Sequence, residues 1–293
     1  MHVERLKLYC DLIETQSFTK AAQLNEVSQS AVSQAVSALE QFFGARMLER
    51  SKNHVRLTPA GEVLFDYSKR LVQSFEKLHN QLQEAGGTVA GKVRLATTCS
   101  IGLHILPPFL KKFRKLHPAV SVQLEYSHAG QVYSAVLRGT ADVGMVAYPS
   151  RDARLEIVPV RKDPLVLICS PHHPLARTEP VRFKTLKGQA FVQLQRDLPT
   201  RKGVDKILED HGASVVTALE LDNLELVKRA VAIGAGVAIV PLTTVKRERA
   251  NRTLAALRLE GGDYFRPLAL LYLKGQVLGP ALERLISVLK QPV

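Results

Sequence analysis

Along roughly the first third of the chain, apolar residues return every three or four places. From residue 92 onward they gather into short runs separated by amphipathic stretches. Val3, Leu6, Tyr9, Cys10 and Ile13 form the stripe of a first helix. Ser17 is placed to cap a second helix over 18–24, in which the small Ala21 and Ala22 let another helix approach closely. Asn25-Glu26-Val27 is a three-residue turn, after which Ser28 caps a third helix and Val27 is expected to staple onto Val32. Val32, Val36, Leu39 and Phe43 then share one predicted buried face. Spacing and small-residue placement together predict a helix-turn-helix.

The opposite face of that third helix holds Gln29, Ser30, Ser33, Gln34 and Ser37. A merely solvated helix usually carries Glu and Lys there, because they have better helix propensity and form i,i+4 pairs. Short uncharged donors and acceptors suit base edges in a major groove, where Gln pairs bidentately with adenine and Ser contacts bases or phosphates. RMLERSKNHVRLTPAG follows and reads as a short hairpin or wing, with Arg50, Lys52, His54 and Arg56 on its edges for phosphate or minor-groove contacts. Thr58-Pro59 opens a long helix. In it Leu64, Leu71, Leu78 and Ser68, Phe75, Leu82 alternate in two seven-residue series, and the helix ends at Gly86-Gly87. A seam of that kind predicts dimerisation, which would offer two recognition helices to two half-sites.

From Lys92 the pattern alternates strand and helix. Strands are expected at 93–97, 120–126 and 143–147, with helices at 105–116 and 132–138 between them. A second set follows, with strands at 165–169, 191–194, 215–221 and 237–240 and helices at 201–211 and 224–233. A strand at 268–273 and a helix at 280–289 return to complete the first set. Two α/β lobes joined by two crossings make a clamshell, and ligands in such sheets sit beyond the carboxyl ends of strands, at helix amino termini that favour anions. The candidates there are Thr98, Cys99, Ser100, Ser127, His128 and Tyr148 in the first lobe, and Thr200, Arg201 and Asn223 in the second.

Charge changes the picture less than the net value of +13 suggests. Residues 1–91 hold ten Lys+Arg and ten Asp+Glu, so the whole excess lies beyond them. It suits an anionic ligand, the flanks of bent DNA, or solubility alone. The basic cluster of the first part is local: Arg46, Arg50, Lys52 and Arg56 against Glu49. Hydrophobic residues at 46% and charged residues at 23% are globular proportions. The longest apolar run, 230–242, is too short for a membrane span and the amino terminus lacks the order of a signal peptide, so a cytoplasmic location is expected. Three scattered cysteines form neither a disulfide framework nor a zinc site. Cys99, at a helix amino terminus where a thiol's pKa is lowered, leaves redox sensing as an alternative. A solute-binding protein is the rival for the second part of the chain. Enzyme readings fail: GAGVAIVP has Ile239 where a dinucleotide fingerprint needs glycine, His172-His173 runs into Pro174, and there is no GxSxG elbow.

SFTKAAQLNEVSQSAVSQAVSALEQFFGARMLERSKNHVRLTPAG resembles the winged helix-turn-helix of the LysR-type transcriptional regulators, and the likeness extends through the chain. The Ala-Ala pair, the Ser-Gln-Ser-Ala-Val-Ser run, the following Leu-Glu, the wing arginine and Leu-Thr-Pro-Ala-Gly all fall at the family's spacing; Gln34 and Asn53 stand where members often have Arg or Lys. The resemblance implies an α/β protein overall: an all-α winged helix-turn-helix over 1–57, a linker and dimerisation helix over 58–87, and a two-lobed effector domain over 88–293 resembling periplasmic binding proteins. Its first lobe would span about 92–163 and 267–293, its second about 164–266. The resemblance further implies DNA contacts at Gln29, Ser30, Ser33, Gln34 and Ser37 and on the wing, and a small effector held between the lobes. Thr98 and Ser100 match the family's hydroxyl-bearing loop, and Thr200 with Arg201 look like a carboxylate or phosphate clamp. The implied partners are double-stranded DNA, further copies of the chain as dimer or tetramer, a small anionic metabolite and RNA polymerase, with no cofactor, no metal and no membrane.

Overall fold

The computed structural model describes residues 3–49, 55–84 and 89–291. The chain forms two compact units, Met1–Ala90 with Arg138–Thr140, and Gly91–Leu137 with Ala141–Val293.

In the first unit, α1 (Val3–Thr15), α2 (Phe18–Leu24), α3 (Gln29–Phe43) and the start of α4 (Pro59–Glu84) enclose one core. Leu6, Tyr9, Leu12, Ala21, Ala22, Val32, Val36, Leu39 and Met47 are buried in it. Local chemistry sets the helix boundaries. Ser17 accepts from Lys20 N, Ser28 from Ala31 N and Thr58 from Gly61 N, each satisfying a donor that the first helical turn leaves over. Gly44 ends α3 in the left-handed conformation at φ +64°. The Glu40 carboxylate then accepts from Met47 N at 2.8 Å, drawing the chain back across the helix. Leu48 bridges Leu57 in antiparallel fashion and Glu49 N donates to Arg56 O at 2.9 Å, which forms the base of the expected wing.

Three expectations need correcting here. Phe43 is 44% exposed, because α3 ends at Gly44 before its last turn reaches the core. Val27 is exposed as well, so no staple is buried. In α4 the seam is displaced: Ser68 is fully buried and Leu64 packs on the unit's own core, leaving Val63, Tyr67, Leu71, Phe75 and Leu78 as the exposed apolar stripe.

The second unit is built on one sheet of order β2-β1-β3-β9-β4-β7, with β8 also on β4 and a separate pair β5-β6. Its elements run β1 (Gly91–Thr97), α5 (Cys99–His104), α6 (Leu106–Leu116), β2 (Val120–Tyr126), α7 (Ala129–Leu137), β3 (Val143–Ala147) and β4 (Leu155–Cys169). They continue with β5 (Ala190–Leu194), α8 (Pro199–Asp210), β6 (Val216–Leu221), α9 (Leu224–Ala232), β7 (Ala238–Pro241), α10 (Lys246–Ala250), β8 (Ala255–Leu257), β9 (Phe265–Leu273) and α11 (Pro280–Lys290). β1, β2 and β3 are parallel, and β9 lies antiparallel between β3 and β4.

β4 changes partners along its length, and this divides the unit into two lobes. From Leu155 to Pro164 it pairs with β9 in the first lobe; from Leu165 to Cys169 it pairs with β7 and β8 in the second. Leu165, Leu167 and Cys169 enter one core of the second lobe while Val166 and Ile168 enter the other, as a strand covered on both faces requires. At the crossing, Asp163 of β4 and Arg266 of β9 are direct cross-strand partners.

Candidate functional site

α3 presents its polar face to solvent. Gln29, Ser30, Ser33, Gln34 and Ser37 are all exposed while Val32, Ala35, Val36 and Leu39 behind them are buried. The Ser28 and Ser30 hydroxyls lie 2.8 Å apart, so the amino-terminal turn offers paired hydroxyls beside Gln29. Tyr9 fixes this helix unit to α4 by donating to Gly61 O at 3.0 Å. A Cβ at position 61 would come within 2.1 Å of Met47 O, so only glycine permits that approach. Arg56 is exposed at the wing base; Arg50, Lys52 and His54 lie outside the described residues.

In the second unit a cleft of about 330 Å³ opens between the lobes. Seven of the nine expected residues line it: Thr98, Cys99, Ser100, Ser127 and His128 from the loops after β1 and β2, and Thr200 and Asn223 from the starts of α8 and α9. Their states differ. Ser100 Oγ accepts from Arg266 Nη1 at 3.1 Å, and Asn223 Oδ1 caps Leu226 N at 3.0 Å. Thr98 makes no side-chain cap, and Ser127 Oγ is buried without a hydrogen-bond partner. α7, α8 and α9 all begin at the wall of the cleft, with Ala129, Pro199 and Leu224 in the lining, and the first turn of α8 has no side-chain cap.

Two expected residues are not part of the lining. Arg201 points away: its Nε donates to both oxygens of Asp205 at 2.7 and 2.9 Å and its Nη1 to Leu194 O and Glu220 Oε1 at 2.6 and 3.1 Å. It fastens α8 to β5 and β6, and its hydrogen bond holds the Glu220 carboxyl below the usual range. The proposed two-residue clamp therefore reduces to Thr200. Tyr148, at φ +49°, packs on Gly203 of α8, where a Cβ would lie 2.2 Å from Cζ of the ring. Its hydroxyl is buried without a partner, and burial pushes its pKa up.

The redox expectation for Cys99 meets a contrary environment. The residue is exposed, but partial burial of its thiol and the Glu225 carboxylate push its pKa up. Cys10 and Cys169 are buried.

Charge patterning alone did not single out Glu225. It lines the cleft from α9, and its Oε1 lies 2.7 Å from His104 Nε2 on α5 of the other lobe. Its Oε2 is 2.9 Å from Lys228 Nζ, which also meets Glu248 and Thr244 O at 2.8 Å. Burial pushes the Glu225 carboxyl up, but hydrogen bonds from Lys228 and His104 outweigh it and hold it below the ordinary value. The cue in sequence was its place two residues after the capping Asn223, on the first turn of a helix already assigned to the cleft. Arg266 was missed too, because nothing in a strand pattern marks a cation that will be sealed between lobes.

Among the described residues no group of His, Cys, Asp and Glu is arranged to hold a metal ion, and no helix is long and apolar enough to cross a membrane.

Comparison with known proteins bears on both sites. Residues 3–62 match the family model of the bacterial regulatory helix-turn-helix proteins of the lysR family, and residues 86–292 match that of the LysR substrate binding domain. A probable RuBisCO transcriptional regulator of Cyanidioschyzon merolae is 31% identical over 91% of this chain and 90% of its own. A full-length OxyR variant from Pseudomonas aeruginosa superposes with a TM-score of 0.78 at 22% identity, over 99% of this chain and 93% of its own. The Synechocystis PCC6803 CcmR regulatory domain, solved in complex with 2-PG, gives 0.62 at 26% identity over 68% of this chain and 96% of its own.

Proposed function

The chain belongs to the LysR family of DNA-binding transcriptional regulators, and from that premise we propose how its residues divide the work. Gln29, Ser30, Ser33, Gln34 and Ser37 read base edges, and Arg50, Lys52, His54 and Arg56 hold the backbone from the wing. The exposed stripe of α4 joins two copies. A small anionic metabolite in the cleft switches the regulator by favouring one closure of the lobes.

The observation that carries the DNA-reading assignment is the exposure of all five polar residues on α3 over a buried apolar face. The assignment of an anion rests on the three helix amino termini at the cleft wall, with main-chain N–H groups and hydroxyls as donors in place of the Arg201 guanidinium. The related Synechocystis domain, solved in complex with 2-PG, supports a small-molecule ligand for the effector domain.

The test of base reading starts from duplexes selected for binding to the wild-type chain. Gln29→Ala and Ser33→Ala should each remove about 1–3 kcal/mol of preference for selected over random sequence. Arg56→Ala should weaken both duplexes alike and lower the salt slope by about 0.9. Equal losses on both duplexes for all three variants would show that α3 does not read bases.

A further inference from the structure

The segment Lys246–Arg252, which runs through α10 and just past it, carries four cations with no acid to answer them. Lys246, Arg247, Arg249 and Arg252 are exposed and enter no ion pair among the described residues. The one acid in the segment, Glu248, is turned inward to Lys228. In the same lobe Arg196 pairs with Glu220 and Arg258 with Glu179, Arg249 adding only a longer-range pull on Glu179; Arg177, Arg182 and Arg229 are exposed outside any ion pair among the described residues, but they are scattered singly along the chain and not gathered in one segment.

This arrangement is unfavourable within the chain. Lys246 and Arg249 are like charges at helical i,i+3 spacing, and Lys246 at the first position of α10 opposes the helix dipole. A solvated surface normally intersperses acids. The segment also lacks what a protein interface needs, since no large apolar side chain is exposed between Ile233 and Phe265. The other cationic helix, α6, differs: Lys111, Lys112, Arg114 and Lys115 share it with an exposed Leu116.

We propose that Lys246, Arg247, Arg249 and Arg252 form a second, sequence-independent DNA surface on the effector domain, tracking the phosphates of a duplex whose bases are read elsewhere. The proposal rests on the regulator reading above. Three of the four are arginines, whose planar fork matches phosphate oxygens. It also gives a role to part of the charge excess that lies wholly outside residues 1–91.

The test uses the full chain and a random-sequence duplex of about 60 base pairs, with affinity measured over a salt series. A variant with K246Q, R247Q, R249Q and R252Q should bind at least tenfold more weakly at about 0.1 M salt, its slope reduced by about 0.9 for each phosphate no longer neutralised. A control variant with K111Q, K112Q, R114Q and K115Q, which removes the same net charge, should leave the slope unchanged. Unaltered melting and particle mass would show both variants folded. An unchanged slope in the first variant overturns the proposal, as does an equal fall in both, which would mean bulk charge alone. Unchanged DNA binding with lost binding to polyglutamate would assign the patch to an acidic protein and also overturn it. In each of those results the regulator reading survives; a wild-type chain that binds no duplex overturns both.

Discussion

Asp163 and Arg266 meet where the two strands cross between the lobes, and their setting decides what such a pair does. Arg266 is 1% exposed, and burial lowers its pKa, although Asp163 at 2.8 Å works in the opposite direction. Thr243 donates to the same carboxylate oxygen at 2.7 Å, and Arg266 reaches Ser100 at the cleft. A buried pair of this kind contributes little net stability but fixes one arrangement of strands, because a misaligned crossing would strand two charges in low dielectric. Buried thiols have a different effect, visible against pH. Burial pushes the Cys10 thiol up to about 12 and the Cys169 thiol up to about 11 from the ordinary 9.0. Each folded unit thus keeps a proton that its unfolded chain releases above pH 9. The stabilisation is complete below that value and is lost as pH rises toward the native pKa. Between pH 8 and 10 each unit should lose roughly 1.4 kcal/mol through its thiol. Urea unfolding of wild type against Cys10→Ala and Cys169→Ala checks this, each alanine flattening the slope of its own unit; identical slopes would refute it. At this scale the sequence was legible where a side chain serves its own helix, as at Ser17, Ser28 and Thr58. It misled where the partner is distant in sequence: Arg201 is claimed by Glu220 and Leu194 O, and Tyr148 by Gly203.

Elements were legible in proportion to how far local pattern decides them. α2 has the expected bounds and α3 begins directly after its expected Ser28 cap, because caps and apolar period agree. The first ten residues of β4, which include Pro159, Arg161, Lys162 and Asp163, have no strand period; long-range pairing with β9 makes them a strand. The helix that Cys99 was expected to open is α5, but its bounds were not assigned; Gly102 within it lies against Tyr126, where a Cβ would come within 2.0 Å of the ring. The α4 seam was found but misregistered, since a heptad count cannot tell which leucine the helix's own domain will claim. Ser68 and Leu64 turn inward, and Val63, Tyr67, Leu71, Phe75 and Leu78 remain exposed beside an apolar groove of about 400 Å³ that Phe43 and Met47 help to line. A stripe and groove of this size suit a second copy's helix. Each buried leucine or phenylalanine is worth about 1.5–3 kcal/mol, so Leu71→Asp with Phe75→Asp should weaken association at least about 100-fold. Light scattering should then give half the wild-type particle mass, whether the assembly is a dimer or a pair of dimers. An unchanged mass would place the contact elsewhere.

For the whole molecule, the proposed switch requires that a ligand in one unit alter what the other does, and in that proposal closure of the cleft is the two-state element that coupling needs. The lobes touch through the His104–Glu225 contact at the cleft and through Tyr148 on Gly203, while the Asp163–Arg266 crossing joins them at the strands. A ligand bound between them adds contacts only when both walls are in reach, so its binding energy favours closure. Main-chain donors at α7, α8 and α9 and the Thr98, Ser127 and Thr200 side chains set the chemistry: a compact anion with hydroxyl groups suits them, while Glu225 repels one placed too near α9. A panel of small carboxylates and phosphates added to the full chain should therefore contain members that raise the melting temperature of the effector unit. At a ligand concentration about 100 times Kd the gain is about 2.7 kcal/mol, a shift of several degrees. Thr200→Val should shrink that shift without lowering the melting temperature of the ligand-free chain by more than a degree or two. Thermal shifts with neutral compounds alone, and none with any anion, would sink the anionic assignment while leaving the cleft as the binding site.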